Sequence, residues 1–238
     1  MNDDSRPRRR VRSFVLRAGR MTPGQQRGFD VGWSRWGVEC PAVPAPEDLD
    51  ALFGAPGSRT LEIGFGMGQS LLAMAEADPA TQFLGVEVHR PGVGRLLAGI
   101  EERGLRNLRV FCHDAVDVLE NALAPESLSR INIYFPDPWH KKRHHKRRLI
   151  QPPFVELVAS RLVSDGVLHL ATDWEPYAEH MLETLNTSPQ FRNLDPEGGF
   201  SPRPAERPHT KFEARGERLG HGVWDLLYRR SVAGDESA

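Results

Sequence analysis

Short apolar runs alternate with helix-period segments from residue 59 almost to the end of the chain. The runs at 59–63, 82–87, 108–112, 130–135 and 166–172 are rich in Leu, Ile, Val and Phe, as strands buried on both faces are. Amphipathic segments at 69–77, 91–103, 115–123, 153–163 and 175–187 read as helices between and after them. Val223-Trp224-Asp225-Leu226-Leu227-Tyr228 reads as a late strand, with a weaker run near 190–194. This alternation predicts βαβ units, right-handed crossovers and a mostly parallel sheet, with ligands gathering at the carboxyl ends of the strands. Upstream, Pro41, Pro44, Pro46, Gly54, Pro56 and Gly57 mark a linker, with a helical turn near 47–53. The layout read from this is a basic arm at 1–20, an extension and linker at 21–57, one α/β domain at 58–230 and a tail at 231–238. At 238 residues the chain is long enough for a substantial core.

The first strand runs into the sharpest local signal. Thr60-Leu61-Glu62-Ile63 is followed by Gly64, Gly66 and Gly68 at every second position, then by Leu71-Leu72-Ala73-Met74-Ala75. This is a strand, a glycine turn and a helix start. Glycine lets a ligand lie against bare backbone, and the helix start offers unpaired N–H groups. A dinucleotide turn spaces its glycines G-x-G-x-x-G. Here the third glycine comes one residue early, and Glu62 stands before the first. A carboxylate at that point disfavours a pyrophosphate and suits an amino-acid ammonium or a sulfonium. The reading is S-adenosylmethionine; the competing ones are a tight turn without ligand and a nicotinamide cofactor.

Acids close the next strands too. Glu87 lies 19 residues beyond Gly68, where a carboxylate can accept both ribose hydroxyls of an adenosine. Asp114 follows the third strand, where it can accept the adenine amine; its competing reading is an N-cap of the next helix. After the fourth strand, Asp137 sits between Pro136 and Pro138, which stiffen its backbone and fix its direction. A carboxylate held this way suits a reaction centre, the alternative being an ordinary rigid turn. Trp139 is either a base-stacking platform or core.

Charge localises the partner. The formal net charge of −1 hides two clusters: seven Arg and no acid in residues 5–20, and six Lys or Arg and no acid in residues 141–148. The rest of the chain holds 18 basic and 32 acidic residues. Concentrated basic segments on an otherwise acidic chain point to a polyanion held beside the cofactor pocket. The arm is either a phosphate-binding segment that orders on RNA or a solubilising tail. The histidines of the second run lack cysteine partners and zinc-site spacing, so no metal is expected. Cys40 and Cys112 form no C-x-x-C pair and read as free thiols of a reducing cytosol. No run approaches the roughly 20 apolar residues of a membrane span. The N-terminus has no apolar signal core; its arginines leave a transit peptide open, against which Asp3 and Asp4 count, and a cytoplasmic protein is expected.

Glu62–Gly68, the run Phe135-Pro136-Asp137-Pro138-Trp139-His140-Lys141-Lys142-Arg143-His144, Thr172-Asp173-Trp174, Thr210-Lys211-Phe212-Glu213-Ala214-Arg215-Gly216 and the arm segment Arg12-Ser13-Phe14-Val15 resemble the bacterial tRNA (guanine-N7-)-methyltransferase family, over about residues 9–230. The run from Phe135 to His144 is the most specific part. The resemblance implies an α/β Rossmann-like class I methyltransferase fold with a seven-stranded, mostly parallel sheet whose last strand is antiparallel. It implies methyl transfer from S-adenosylmethionine to N7 of the guanine at position 46, in the variable loop of tRNA, giving 7-methylguanosine. Carried over residue by residue, Glu62, Glu87, Asp114 and Asp137 fall on cofactor positions, beside the turn glycines Gly64, Gly66 and Gly68. Asp137 is also the catalytic position. Lys141, Asp173, Thr210, Lys211, Phe212 and Glu213 fall on substrate positions, and Arg143, His144, His145, Lys146, Arg147 and Arg148 match the RNA-contact region.

Asp173 and Glu213 are the candidates for accepting from guanine N1–H and its N2 amine. Thr210 either orients the substrate or caps a turn. The glycine-rich stretch 216–222 either closes over the pocket or merely leads into the last strand. No obligate protein partner is expected, and monomer and homodimer both stay open. The rival readings are a methyltransferase acting on another RNA, DNA or protein atom, and a non-catalytic RNA-binding module on the same fold.

Overall fold

The computed structural model describes residues 12–14, 19–208, 213 and 222–231. In chain order the elements are α1 (Pro23–Trp36), β1 (Gly37–Val38), α2 (Leu49–Phe53), β2 (Arg59–Ile63), α3 (Gln69–Ala77), β3 (Gln82–Val86), α4 (Arg90–Arg103), β4 (Leu108–Phe111), α5 (Ala115–Asn121), β5 (Leu128–Tyr134), a 3-10 helix (Lys142–Arg147), α6 (Pro152–Arg161), β6 (Leu162–Thr172), α7 (Glu175–Asn186), β7 (Phe191–Asn193) and β8 (Trp224–Arg230). One sheet takes the order β1-β4-β3-β2-β5-β6-β8-β7. Every pair from β1 to β6 is parallel, and β8 runs antiparallel to both β6 and β7.

The expected seven strands, the last inverted, are β2 to β8. The sheet has eight, because the N-terminal extension adds β1 at the β4 edge. Two residues carry no readable period, so this strand has no sequence signature. The extension also holds α1, which the sequence reading left without structure. Its start is a capping box: Thr22 Oγ1 accepts from Gln25 N at 3.3 Å and Gln25 Oε1 accepts from Thr22 N at 2.8 Å.

The buried face of α1 is Phe29, Gly32 and Trp36 rather than an aliphatic stripe. It crosses α4 at backbone contact. A Cβ on Gly28 would stand 2.3 Å from the Gly94 carbonyl oxygen, and one on Gly94 would stand 2.3 Å from that of Gln25. Gly94→Ala must therefore push α1 off α4. The expected loss is about 1–3 kcal/mol, read as a lower melting midpoint in circular dichroism; an unchanged midpoint would show that α1 contributes nothing to the fold.

The core has two layers around the sheet. One face packs Leu61, Ile63, Ile131, Ile133, Leu168 and Leu170 against Val118 and Leu119 of α5, Phe154 and Val158 of α6, and Tyr177 and Met181 of α7. The other face changes character along its width. At β3 and β4 it is apolar, with Phe83, Leu108 and Val110 under Leu71 and Leu72 of α3 and Val93, Leu96 and Leu97 of α4. From β2 towards β8 it turns polar. Glu62, Asn132 and His169 pair across β2, β5 and β6, and Tyr134 and Asp225 flank Ala171 one step on. All five are buried. A polar sheet face under cover is costly unless each group finds a partner, so it marks where the chemistry lies.

Candidate active site

The strand order reverses at β2, which sends β3 and β4 to one side and β5 and β6 to the other. Ligands of open parallel sheets bind at this switch point, beyond the carboxyl ends of the strands. A cleft of about 410 Å³ lies there, lined among others by Gly64, Glu87, Asp114, Tyr134 and Asp137. The topology thus brings together Glu87, Asp114 and Asp137, which are up to 50 residues apart in sequence.

Gly64, Gly66 and Gly68 have φ of 77°, 57° and 76°, left-handed values that favour glycine at all three. Gly92 of α4 closes against the turn: a Cβ there would lie 2.0 Å from the Gly66 carbonyl oxygen. Gly68 is the N-cap of α3 and has no side chain to bond the first N–H groups of the helix.

Glu62 sits beneath this turn, 3% exposed, and its Oε2 has no hydrogen-bond partner among the described residues. Burial, helped by the nearby Glu87, pushes its carboxyl up to about 8. An orphaned carboxylate oxygen beside bare main chain fits a cationic group such as the ammonium of an amino acid.

Glu87 is held more tightly than sequence could show. Its Oε1 accepts from the main-chain N–H of Val88 at 2.7 Å and His89 at 2.9 Å, and its Oε2 from that of Gly66 at 2.9 Å. This carboxylate therefore ties the glycine turn to the end of β3. Asp114 lines the cleft and is also the N-cap of α5, accepting from Val116 N at 3.0 Å. Its two sequence readings are compatible.

Asp137 is exposed at the mouth of the cleft. The loop that carries it is bent at both ends: Phe135 has φ of 51° and Trp139 φ of 49°, unusual for bulky residues. Phe135 is pinned by its N–H to the Ala171 carbonyl at 2.7 Å. Trp139 is pinned by its indole N–H to the Ser13 carbonyl at 2.9 Å and by the Arg147 guanidinium stacked 4.0 Å from its ring. Trp139 is thus a clamp on the arm segment. Ser13 and Phe14 of that segment also line the cleft.

The basic run divides. Lys141, Lys142, Arg143 and Lys146 are exposed. His144 lies edge-on to Trp139, and His145 faces Arg148. Arg147 donates to the carbonyls of Arg12 at 3.2 Å and Phe14 at 3.1 Å. Arg148 is a correction to the expected RNA-contact set. It is 5% exposed, donates to the Pro138 carbonyl at 3.0 Å and lies over the Tyr177 ring, so it braces the Asp137 loop from beneath.

Asp173 is half-buried just beyond β6. Glu213 has a partner that the sequence reading did not foresee. It is 2% exposed and both its oxygens accept from Arg207, at 2.9 and 2.6 Å, so it faces a buried guanidinium rather than open solvent. Thr210, Lys211 and Phe212 lie outside the described residues, as do most of the arm and the stretch 214–221.

Sequence reasoning missed Arg207. It is 1% exposed and bridges Glu213 to Asp225 of β8, donating from Nη2 to Asp225 Oδ2 at 2.9 Å. Its Nε lies 2.8 Å from Asp225 Oδ1 but the N–H is not aimed at that oxygen, so this second contact is ionic only. Burial alone would lower its pKa; the two carboxylates outweigh that and hold it above the ordinary arginine value. Asp225 Oδ1 in turn accepts a hydrogen bond from His169 Nε2–H at 2.8 Å. His169 Nδ1 then accepts from the Tyr134 hydroxyl at 3.1 Å and Arg130 at 3.0 Å. The ring is neutral, and burial lowers its pKa despite Asp225.

The profile of the family described as "Putative methyltransferase" matches residues 57–226, which includes every strand end just described. A protein of Pseudomonas paraeruginosa named "tRNA (guanine-N(7)-)-methyltransferase" is 59% identical over 229 residues, 96% of this chain and 93% of that one. The chain belongs to the tRNA (guanine-N7-)-methyltransferase family. Solved structures of low identity show the fold alone. The 16S rRNA methyltransferase KamB superposes with a TM-score of 0.55 at 15% identity, covering 82% of this chain and 99% of that one. The [4+2]-cyclase SpnF gives 0.52 at 18% identity, covering 89% and 97%. That a cyclase shares the frame is reason to argue the methyltransferase chemistry from the site rather than from the fold.

Proposed function

We propose that this chain transfers a methyl group from S-adenosylmethionine to N7 of a guanine in tRNA, at position 46 of the variable loop. The near-full-length 59% identity to a relative of that name carries the reading, and the orphaned oxygen of Glu62 at the glycine turn supports the cofactor. When bound, the cofactor supplies an electrophilic methyl group next to a positive sulfur.

The residues divide the work. Glu62 receives the ammonium, Gly64, Gly66 and Gly68 leave the main chain open to it, and Glu87 accepts from the ribose hydroxyls with the lone pairs its three backbone bonds leave. Asp114 takes the adenine amine. Guanine N7 carries an in-plane lone pair and no proton, so no general base is needed. Positive charge passes to the purine during transfer, and Asp137 stabilises it electrostatically. Asp173 selects guanine by accepting from N1–H and the N2 amine, and Thr210, Lys211 and Phe212 belong to the same substrate site. Lys141, Lys142, Arg143 and Lys146 hold phosphates, with the salt sensitivity such contacts bring. Residues 58–230 form the methyltransferase domain, 1–20 the RNA-binding arm, and the cytoplasm is the working compartment.

The test is to incubate the protein with S-adenosylmethionine and an unmodified tRNA transcript, digest the RNA and identify nucleosides by mass spectrometry. 7-Methylguanosine is expected, lost when guanine 46 is replaced. Another methylated nucleoside would overturn the target, and no methylation by folded protein would favour a binding module.

A further inference from the structure

We propose that Arg207 is a positioning residue: it clamps Glu213 onto the polar sheet face, so that Glu213 acts by holding substrate groups in place rather than by reading guanine. This rests on the reading of the chain as a tRNA guanine methyltransferase.

Four observations carry it. Arg207 is buried and bridges two carboxylates from different parts of the chain, Glu213 and Asp225. Asp225 is fixed from behind by His169, which is itself fixed by Tyr134 and Arg130. The bridge is thus anchored to β5, β6 and β8 at once. The guanidinium also faces the Phe135 ring at 5.9 Å, and Phe135 is the left-handed residue that starts the Asp137 loop. Finally, the Arg203 guanidinium donates to the Arg207 carbonyl at 2.9 Å and the Ser201 N–H to that of Asp225 at 2.8 Å, which seats the preceding segment on β8. One buried cation therefore joins Glu213 to β8 and faces Phe135, the residue that follows β5 and starts the Asp137 loop. A planar guanidinium can serve both carboxylates from its fork of donors; a lysine ammonium cannot reproduce that geometry.

The experiment compares Arg207→Lys and Glu213→Gln with the unmutated protein on two tRNAs, one with guanine and one with inosine at the target. Inosine lacks the N2 amine. A positioning role predicts that both variants lower kcat at least about tenfold on both tRNAs and change S-adenosylmethionine affinity less than about threefold. It also predicts that the double variant is no slower than the slower single one. Glu213→Gln losing its effect on inosine tRNA would show that Glu213 reads the N2 amine, which overturns the proposal. So would wild-type turnover by Arg207→Lys.

Hydrogen exchange read by mass spectrometry supplies a test that does not need the reaction. Peptides spanning 201–208, and the peptide that contains Glu213, should exchange faster in Arg207→Lys while those of β2 and β3 do not change. Unchanged exchange in these peptides overturns the clamp even if the parent reading stands. If the unmutated protein made no 7-methylguanosine, that reading would fall while the exchange result still decided the clamp.

Discussion

Raising the pH from 5.5 to 7.5 should tighten S-adenosylmethionine binding on the order of 50-fold, because the carboxyl that receives the ammonium must first lose a proton. Glu62 is buried and pushed up to about 8, from 4.5 in the unfolded chain. A group that holds its proton more tightly when folded contributes stability that is fully present below the unfolded pKa. That contribution is lost as pH rises through the folded value. The free protein should therefore become less stable between pH 4.5 and 8, by an amount on the order of 5 kcal/mol if the whole shift is realised. An ammonium beside Glu62 reverses the preference, so binding below pH 7 should release close to one proton.

Calorimetry in buffers of different ionisation enthalpy reads that proton directly. The window stops near pH 7.5 because the amine of the ligand begins to titrate at about 7.7–8.0. Glu62→Gln should bind about 10–100-fold more weakly at pH 7.5, with no pH dependence. The same variant should melt higher than the unmutated free protein at pH 8 and about equally at pH 4.5. Affinity that is flat with pH in the unmutated protein would sink the assignment of Glu62 to the ammonium.

The parts of this site that sequence could show are those written as local punctuation. Glu62 stands before three glycines, Glu87 and Asp114 at the ends of apolar runs, and Asp137 between two prolines. Each is a short-range signal, and the strands behind them are buried runs whose period is legible; the expected helix 69–77 coincides with α3. What stayed hidden depends on partners distant in sequence. Arg207 lies in a Pro-rich stretch with no periodicity, and its meaning comes from Glu213, six residues on, Asp225, 18 residues on, and His169 on the neighbouring strand β6. Arg148 closes a run of identical-looking cations, yet it alone turns inward to the Pro138 carbonyl; charge density cannot tell an exposed arginine from a buried one. α1 escaped because glycines and aromatics, not aliphatics, make its contact with α4, which reads as a loop until Gly28 and Gly94 are seen back to back.

Removing the Asp137 carboxylate should separate turnover from binding more sharply than any other single change. Asp137→Asn keeps the shape of the side chain and Asp137→Ala removes it. Both should lower the single-turnover rate at least about 100-fold, or about 2.7 kcal/mol of barrier. The size follows from the surroundings rather than from the free protein. Asp137 is exposed in the absence of RNA, where water would screen its charge. Once a guanine base covers it, water leaves and the same carboxylate acts at a much lower effective dielectric. The two pinned ends of its loop, Phe135 and Trp139, keep it aimed while that happens, so little of the stabilisation is spent on reorganisation.

Binding should respond in the opposite sense. An acid facing a polyanion opposes association, so both variants should bind tRNA as well as the unmutated protein or somewhat better. Because N7 has no proton to remove, Asn should be no better than Ala; a rate for Asp137→Asn within a few fold of the unmutated protein would mean that the negative charge has no part in the transfer. Rates from rapid-quench single turnovers, set beside tRNA affinities from fluorescence anisotropy at the same salt concentration, decide between the two.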